Sequence, residues 1–160
     1  MNMHTRPTKH LLHHLRVEAA DQPDLFTGNA ELYGMMGVYG GHLLGQGLCA
    51  ALHTVDEPKV THSFHAYFLQ RCDPDLKLKY QVQRLRSGKW GDTRSITASQ
   101  GDNQVFHMIA SFKVAEAGDE HQKTMPAVDS PEALIAQREA RGEETFPFPP
   151  IKDGRTQIEF

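Results

Sequence analysis

The chain has 160 residues, 39% of them hydrophobic and 23% charged, with a formal net charge of −3 and a mean hydropathy of −0.52. That length suits one domain with a real core, and no apolar run approaches the roughly 20 residues of a membrane-spanning helix. The acidic balance argues against general nucleic-acid binding, and two cysteines, Cys49 and Cys72, make no disulfide framework. The polar start, Met1 to Lys9, does not read as a signal peptide. The expected setting is therefore cytoplasmic, with no membrane or nucleic-acid partner.

In chain order, residues 8–17 predict a helix with Leu11, Leu12 and Leu15 on one face. Asp24-Leu-Phe-Thr-Gly28 reads as a short extended piece, and residues 34–41 as a glycine-rich loop. A helix follows over about Gly41–Val55, with Leu44, Leu48, Ala51, Leu52 and Val55 at helical spacing and a stop at Asp56-Glu57-Pro58. Glycines inside a helix cost stability, so Gly45 or Gly47 should face a closely packed sheet. Residues 60–114 read as four strands separated by turns. The alternation puts Leu76, Leu78, Tyr80 and Val82 on one face, then Arg94, Ile96 and Ala98, then Phe106, Met108, Ala110, Phe112 and Val114. Sequential strands with short turns should pair antiparallel. Beyond Val114 the texture changes to a short helix over Pro131–Arg141, a proline-rich linker, and a strand-like end at residues 155–160. The expected division is a domain over residues 1–126, and then residues 127–160 as helix, linker and the start of a strand belonging to another domain.

Several segments carry a family resemblance. They are Leu25-Phe-Thr-Gly28, Gly40-Gly41-His-Leu-Leu-Gly-Gln-Gly47, His62-Ser-Phe-His-Ala-Tyr-Phe-Leu69, Tyr80-Gln-Val-Gln-Arg-Leu-Arg-Ser-Gly88, Thr93-Arg94, Met108-Ile-Ala-Ser-Phe112 and Glu120-His-Gln-Lys-Thr-Met-Pro126. In that order they resemble the N-terminal half of the acyl-CoA thioesterase II family, whose members carry two hotdog domains. The resemblance implies an α+β hotdog fold, a central helix wrapped by an antiparallel β-sheet. It implies hydrolysis of acyl-CoA to fatty acid and coenzyme A with no metal or redox cofactor, coenzyme A entering only as part of the substrate. It also implies a second hotdog domain or a homo-oligomer as partner. The family's catalytic Asp, hydroxyl residue and Gln belong to the other half. Their pseudo-equivalents here are Leu48 or Cys49, Thr61 and Ser111, so two of the three roles are empty. Gln70-Arg71-Cys72-Asp73 and Lys89-Trp90-Gly91-Asp92 depart from the family pattern.

Thioester hydrolysis needs backbone N–H groups to hold the developing oxyanion and a group to position water. Gly40 and Gly41 are the candidates for the first task, although a plain turn and helix cap accounts for them equally well. No Asp or Glu occurs between Gly40 and Val55 to perform the second. The weak catalytic candidates are therefore Thr61, Ser63 and His65. Ser63 and His65 share a strand face at i, i+2, a poor spacing for a nucleophile–base pair; His62, His65 and Tyr67 read more readily as packing groups. Gly45-Gln-Gly47-Leu-Cys-Ala50 matches a dinucleotide signature in the wrong context, since no clean strand precedes it and the next acids come too soon. His10, His13 and His14 read as a solvated helix face rather than a metal site. Arg84, Arg86, Lys89 and Arg94 cluster on one hairpin. They are either a solvated surface or, with Arg94 as the substrate-binding candidate, a site for the phosphates of coenzyme A.

Overall fold

The structure is a computed structural model and describes residues 9–30 and 38–143. The chain divides after Glu116 into two compact units. In the first, α1 (Lys9–His14), β1 (Glu18–Ala19), β2 (Leu25–Gly28), α2 (Gly40–Leu52), β3 (Lys59–Phe68), β4 (Leu78–Ser87), β5 (Gly91–Gln100) and β6 (Asn103–Val114) follow in order. The six strands form one antiparallel sheet in the order β1-β2-β4-β5-β6-β3. Helix α2 packs on the inner face of that sheet, the arrangement expected of a hotdog.

The inner face is the alternating set read from the sequence. Leu78, Tyr80, Val82, Ile96, Ala98, Phe106, Met108, Ala110 and Phe112 are all buried. Leu76 is not among them; it lies before β4 and is 50% exposed. The hairpins β4–β5 and β5–β6 pair as neighbours, but β3 does not pair with β4. It pairs with β6 at the sheet's far edge, because residues 69–77 form a crossing rather than a turn. Gln100 staples that crossing: its amide donates to Asp73 O and Leu76 O at 2.7 and 2.8 Å and accepts from Asp73 N at 2.8 Å.

Helix α2 meets the sheet through small residues. A Cβ on Gly47 would lie 3.2 Å from Phe106 and 3.4 Å from Met108, so Gly47 is the glycine that faces the sheet. Gly45 faces Leu15 instead. The buried face of α2 is His42, Leu43, Gln46, Gly47, Ala50 and Ala51. Of the face expected from the sequence, Ala51 is buried, Leu44, Leu48 and Val55 are half-buried and Leu52 is exposed. Close approach selects glycine and alanine at the contact beside the buried Leu43, and leaves Leu44, Leu48 and Leu52 at its margins. Gln46 is fully buried and fully used. Its amide donates to His14 O at 2.8 Å and Asn29 O at 3.1 Å, and its Oε1 accepts from the Tyr80 hydroxyl at 3.0 Å.

The helix ends at Leu52 rather than Val55. His53 N and Thr54 N fold back on Cys49 O and Ala51 O, and the Thr54 hydroxyl donates to Ala51 O at 2.8 Å. The expected N-terminal helix over residues 8–17 shortens to α1, Leu12 is 69% exposed, and the following residues form the unforeseen strand β1. In the second unit, α3 (Pro131–Ala140) is within one residue of the expected helix; Ser130 caps it by accepting from Ala133 N at 3.2 Å. The proline-rich piece and the strand-like end fall outside the described residues, as does the loop over residues 34–37.

Candidate functional site

Gly40 and Gly41 open α2. The helix starts at Gly40 after Tyr39 in extended backbone geometry, with no side-chain cap bond. The first amides of a helix have no partner within it and point outward, carrying the positive end of the helix dipole. Beside them lies a cavity of ≈310 Å³, whose wall includes Val38, Gly40, Leu43, Phe68, Arg71 and Cys72. A Cβ on Gly40 would sit 3.0 Å from the Phe68 ring. Glycine therefore lets the helix start lie against Phe68 and keeps its backbone accessible from the cavity.

Among the described residues no carboxylate lines this cavity. Cys72 is buried, and burial pushes its thiol up from its ordinary value, so it is no ready thiolate. Cys49 is raised for the same reason. What the cavity offers among the described residues is the helix-start glycine Gly40, an apolar wall and the cationic Arg71.

Thr61, Ser63 and His65 do not form one site. The pairing of β3 with β6 slips between Thr61 and Ser63, so His62 is a bulge. Thr61 pairs with Phe112 on the core side, whereas Ser63 pairs with Ser111 on the outer side. His65 packs edge-on against Tyr67, with ring centroids 4.9 Å apart, and no bond joins it to Ser63 among the described residues. Ser63 Oγ lies 2.9 Å from Ser111 Oγ, and His62 Nδ1 lies 3.2 Å from the same Ser111 Oγ. The hydrogen-bonded set is His62–Ser111–Ser63, which simple strand alternation misses because the bulge changes the face. Five residues of strand separate Ser63 from Phe68, about 17 Å, so this set stands apart from the helix N-terminus.

Arg94 is not a surface group for phosphate. It is 1% exposed, and all five of its N–H donors are spent inside. Nε donates to Thr54 Oγ1 and Nη2 to Thr54 O, each at 2.8 Å; Nη2 also donates to Asp92 Oδ2 at 3.0 Å, and Nη1 donates to Arg86 O and Thr93 O. Burial pushes the Asp92 carboxyl up, but bonds from Gly88 N and Lys59 and the fields of Arg94 and Lys59 outweigh it and hold Asp92 below the usual carboxylate range. Of the other basic residues on that hairpin, Arg84 is bidentate to Asp24 at 2.7 and 2.8 Å, and that bond lowers the Asp24 pKa. Lys89 lies 4.7 Å over the ring of the exposed Trp90. Among the described residues no group of three or more His, Cys, Asp or Glu is placed to hold a metal ion, and no helix is long and apolar enough to cross a membrane.

Comparison with known proteins agrees with this architecture. Residues 30–113 match the acyl-CoA thioesterase N-terminal domain. The chain is 39% identical over 122 residues to acyl-CoA thioesterase 2 of Haemophilus influenzae, covering 76% of this chain and 42% of that protein. The crystal structure of an acyl-CoA thioesterase II from Mycobacterium marinum superposes with a TM-score of 0.64 at 33% identity, over 75% of this chain and 44% of that one. A protein of hot dog fold from Alicyclobacillus acidocaldarius gives a TM-score of 0.68 at 19% identity, over 80% of this chain and 48% of that chain, a likeness of fold alone. The chain thus spans less than half the length of each of these proteins. The fold is an α+β hotdog, and the chain belongs to the acyl-CoA thioesterase family, whose N-terminal domain it matches.

Proposed function

We propose that this chain is the N-terminal hotdog half of an enzyme that hydrolyses acyl-CoA to a fatty acid and coenzyme A. The carrying observation is the start of α2: Gly40 lines a cavity that has no carboxylate among the described residues, and Gly41 follows it in the first turn of the helix. Such a helix start stabilises a thioester oxyanion but does not activate water. The water-positioning groups then come from a second hotdog that carries them. The reaction asks for no metal or redox cofactor, and a cytoplasmic setting with no membrane or nucleic-acid partner fits it.

Strand β3 supports the association. It is an edge strand with Val60, Phe64, Tyr67 and Phe68 each about half exposed. An edge of that character invites another strand. A second reading, a non-catalytic acyl-CoA-binding half, is favoured by the same missing carboxylate. Release of free thiol from an acyl-CoA decides between them. Residues 1–160 mixed with a partner hotdog should turn over where each part alone does not; binding without turnover in the mixture would favour the non-catalytic half.

A further inference from the structure

Away from α2, a second concavity opens where the N-terminal segment meets the end of β2. Its volume is ≈130 Å³, and His13, Arg16, Glu18, Thr27, Asn29 and Lys77 line it. Separate parts of the chain bring the basic residues together. His13 comes from the last turn of α1, Arg16 from the link to β1, and Lys77 from the residue before β4. Among the described residues neither Arg16 nor Lys77 is in an ion pair, although Glu18 shares the wall. Among the described residues that line it, a chain of net charge −3 gathers two permanent cations and one carboxylate.

We propose that this cavity binds a phosphate-type oxyanion. Arg16 offers a planar fork that matches two phosphate oxygens, and Lys77 a point charge. The Thr27 hydroxyl and the Asn29 amide add neutral donors of the kind a phosphate accepts from. Size restricts the ligand. The volume equals about four water shares of about 30 Å³, and lies well below the roughly 300 Å³ at which pockets for drug-sized ligands begin. A single phosphate group fits, either free or at the end of a larger molecule that stays in solvent; a nucleoside or acyl chain does not fit inside. The site lies outside the α2 cavity and does not depend on thioester hydrolysis.

Isothermal titration calorimetry at constant ionic strength tests this with inorganic phosphate and with adenosine 3′,5′-bisphosphate, which carries a terminal phosphomonoester. Saturable binding of at least one is expected. Arg16→Ala and Lys77→Ala should each weaken it by about tenfold or more, while Glu18→Gln should tighten it. Lys89→Ala, on the β4–β5 turn, should leave it unchanged. Tighter binding of the bisphosphate would assign the site to a terminal phosphate on a nucleotide, and equal or tighter binding of inorganic phosphate to the free ion. No saturable heat from either probe would overturn the proposal, as would full affinity in both alanine variants. The two side chains are exposed, so the variants should fold, which circular dichroism checks.

Discussion

Asp92 and Arg94 lie two residues apart on β5 and meet inside the protein, Arg94 Nη2 at 3.0 Å from Asp92 Oδ2. Lys59 Nζ reaches the other carboxylate oxygen at 3.0 Å, its side chain only 7% exposed. One carboxylate thus joins β3, β4 and β5 below the end of α2, through Lys59, Gly88 N and Arg94. Breaking a buried pair from one side leaves a charge without its partner, at a cost of about 3–5 kcal/mol. Arg94→Ala leaves Asp92 paired with Lys59, so it should lower the unfolding free energy by an amount near the bottom of that range, read as a lower denaturant midpoint.

The same group sets an acid limit. The folded Asp92 pKa lies below its ordinary value of 3.8. Its contribution to stability is therefore complete above that value and is lost as pH falls through the lower folded one. Denaturation midpoints should drop as pH falls below the ordinary value of 3.8, and Asp92→Asn should flatten that part of the profile while lowering stability at neutral pH. An unchanged profile in the variant would place the acid sensitivity elsewhere, with Asp24 next to be tested.

Gly45 and Gly47 should respond oppositely to a side chain. At Gly47 the neighbours are Phe106, Met108 and Ile96 of the sheet, all buried. Gly47→Leu should overpack this contact and cost about 1–3 kcal/mol. At Gly45 a Cβ meets the tip of Leu15, which can turn away. Gly45→Ala should be neutral or stabilise by up to about 1 kcal/mol through helix propensity. Urea titrations of the two variants check the pair.

The strands β4, β5 and β6 were legible in the sequence because a sheet covered on one face writes a period of two. Helix α2 was legible as a helix but only in part in orientation: beside Leu43 and Ala51 its contact is made of Gly47, Ala50 and Gln46, which carry little hydrophobic signal, while Leu44, Leu48 and Leu52 lie at the rim. The bulge at His62 left no trace in residue type, and that one extra residue separates Thr61 from Ser63. Arg94 did leave a signal. Its position in line with Ile96 and Ala98 marked it as inward-facing, and Thr54 and Asp92 were the polar residues able to receive it.

Association should run through β3. A sheet edge with half-exposed apolar side chains is open to pairing, and charge on it opposes pairing. Sedimentation of residues 1–160 at micromolar concentration should show dimers or larger species, and Tyr67→Lys combined with Phe64→Lys should shift them toward monomer. A clean monomer in the unsubstituted chain would show that β3 needs a different partner.

Activity follows from the division of labour at the α2 start. The cavity has the helix start and an apolar wall, but among the described residues no acid lines it, and α2 contains none. Lack of a water-positioning acid typically costs about 10²–10⁴ in rate, so residues 1–160 alone should hydrolyse acyl-CoA at trace level. Gly40→Val should abolish even that trace, because the added side chain meets Phe68 at the cavity wall. His62→Ala, Ser63→Ala and Ser111→Ala should leave it unchanged, since their cluster lies about 17 Å along the strand from Phe68. Turnover by the chain alone that collapses in those three variants would move the chemistry to the outer face of β3 and overturn the proposed role of the helix N-terminus.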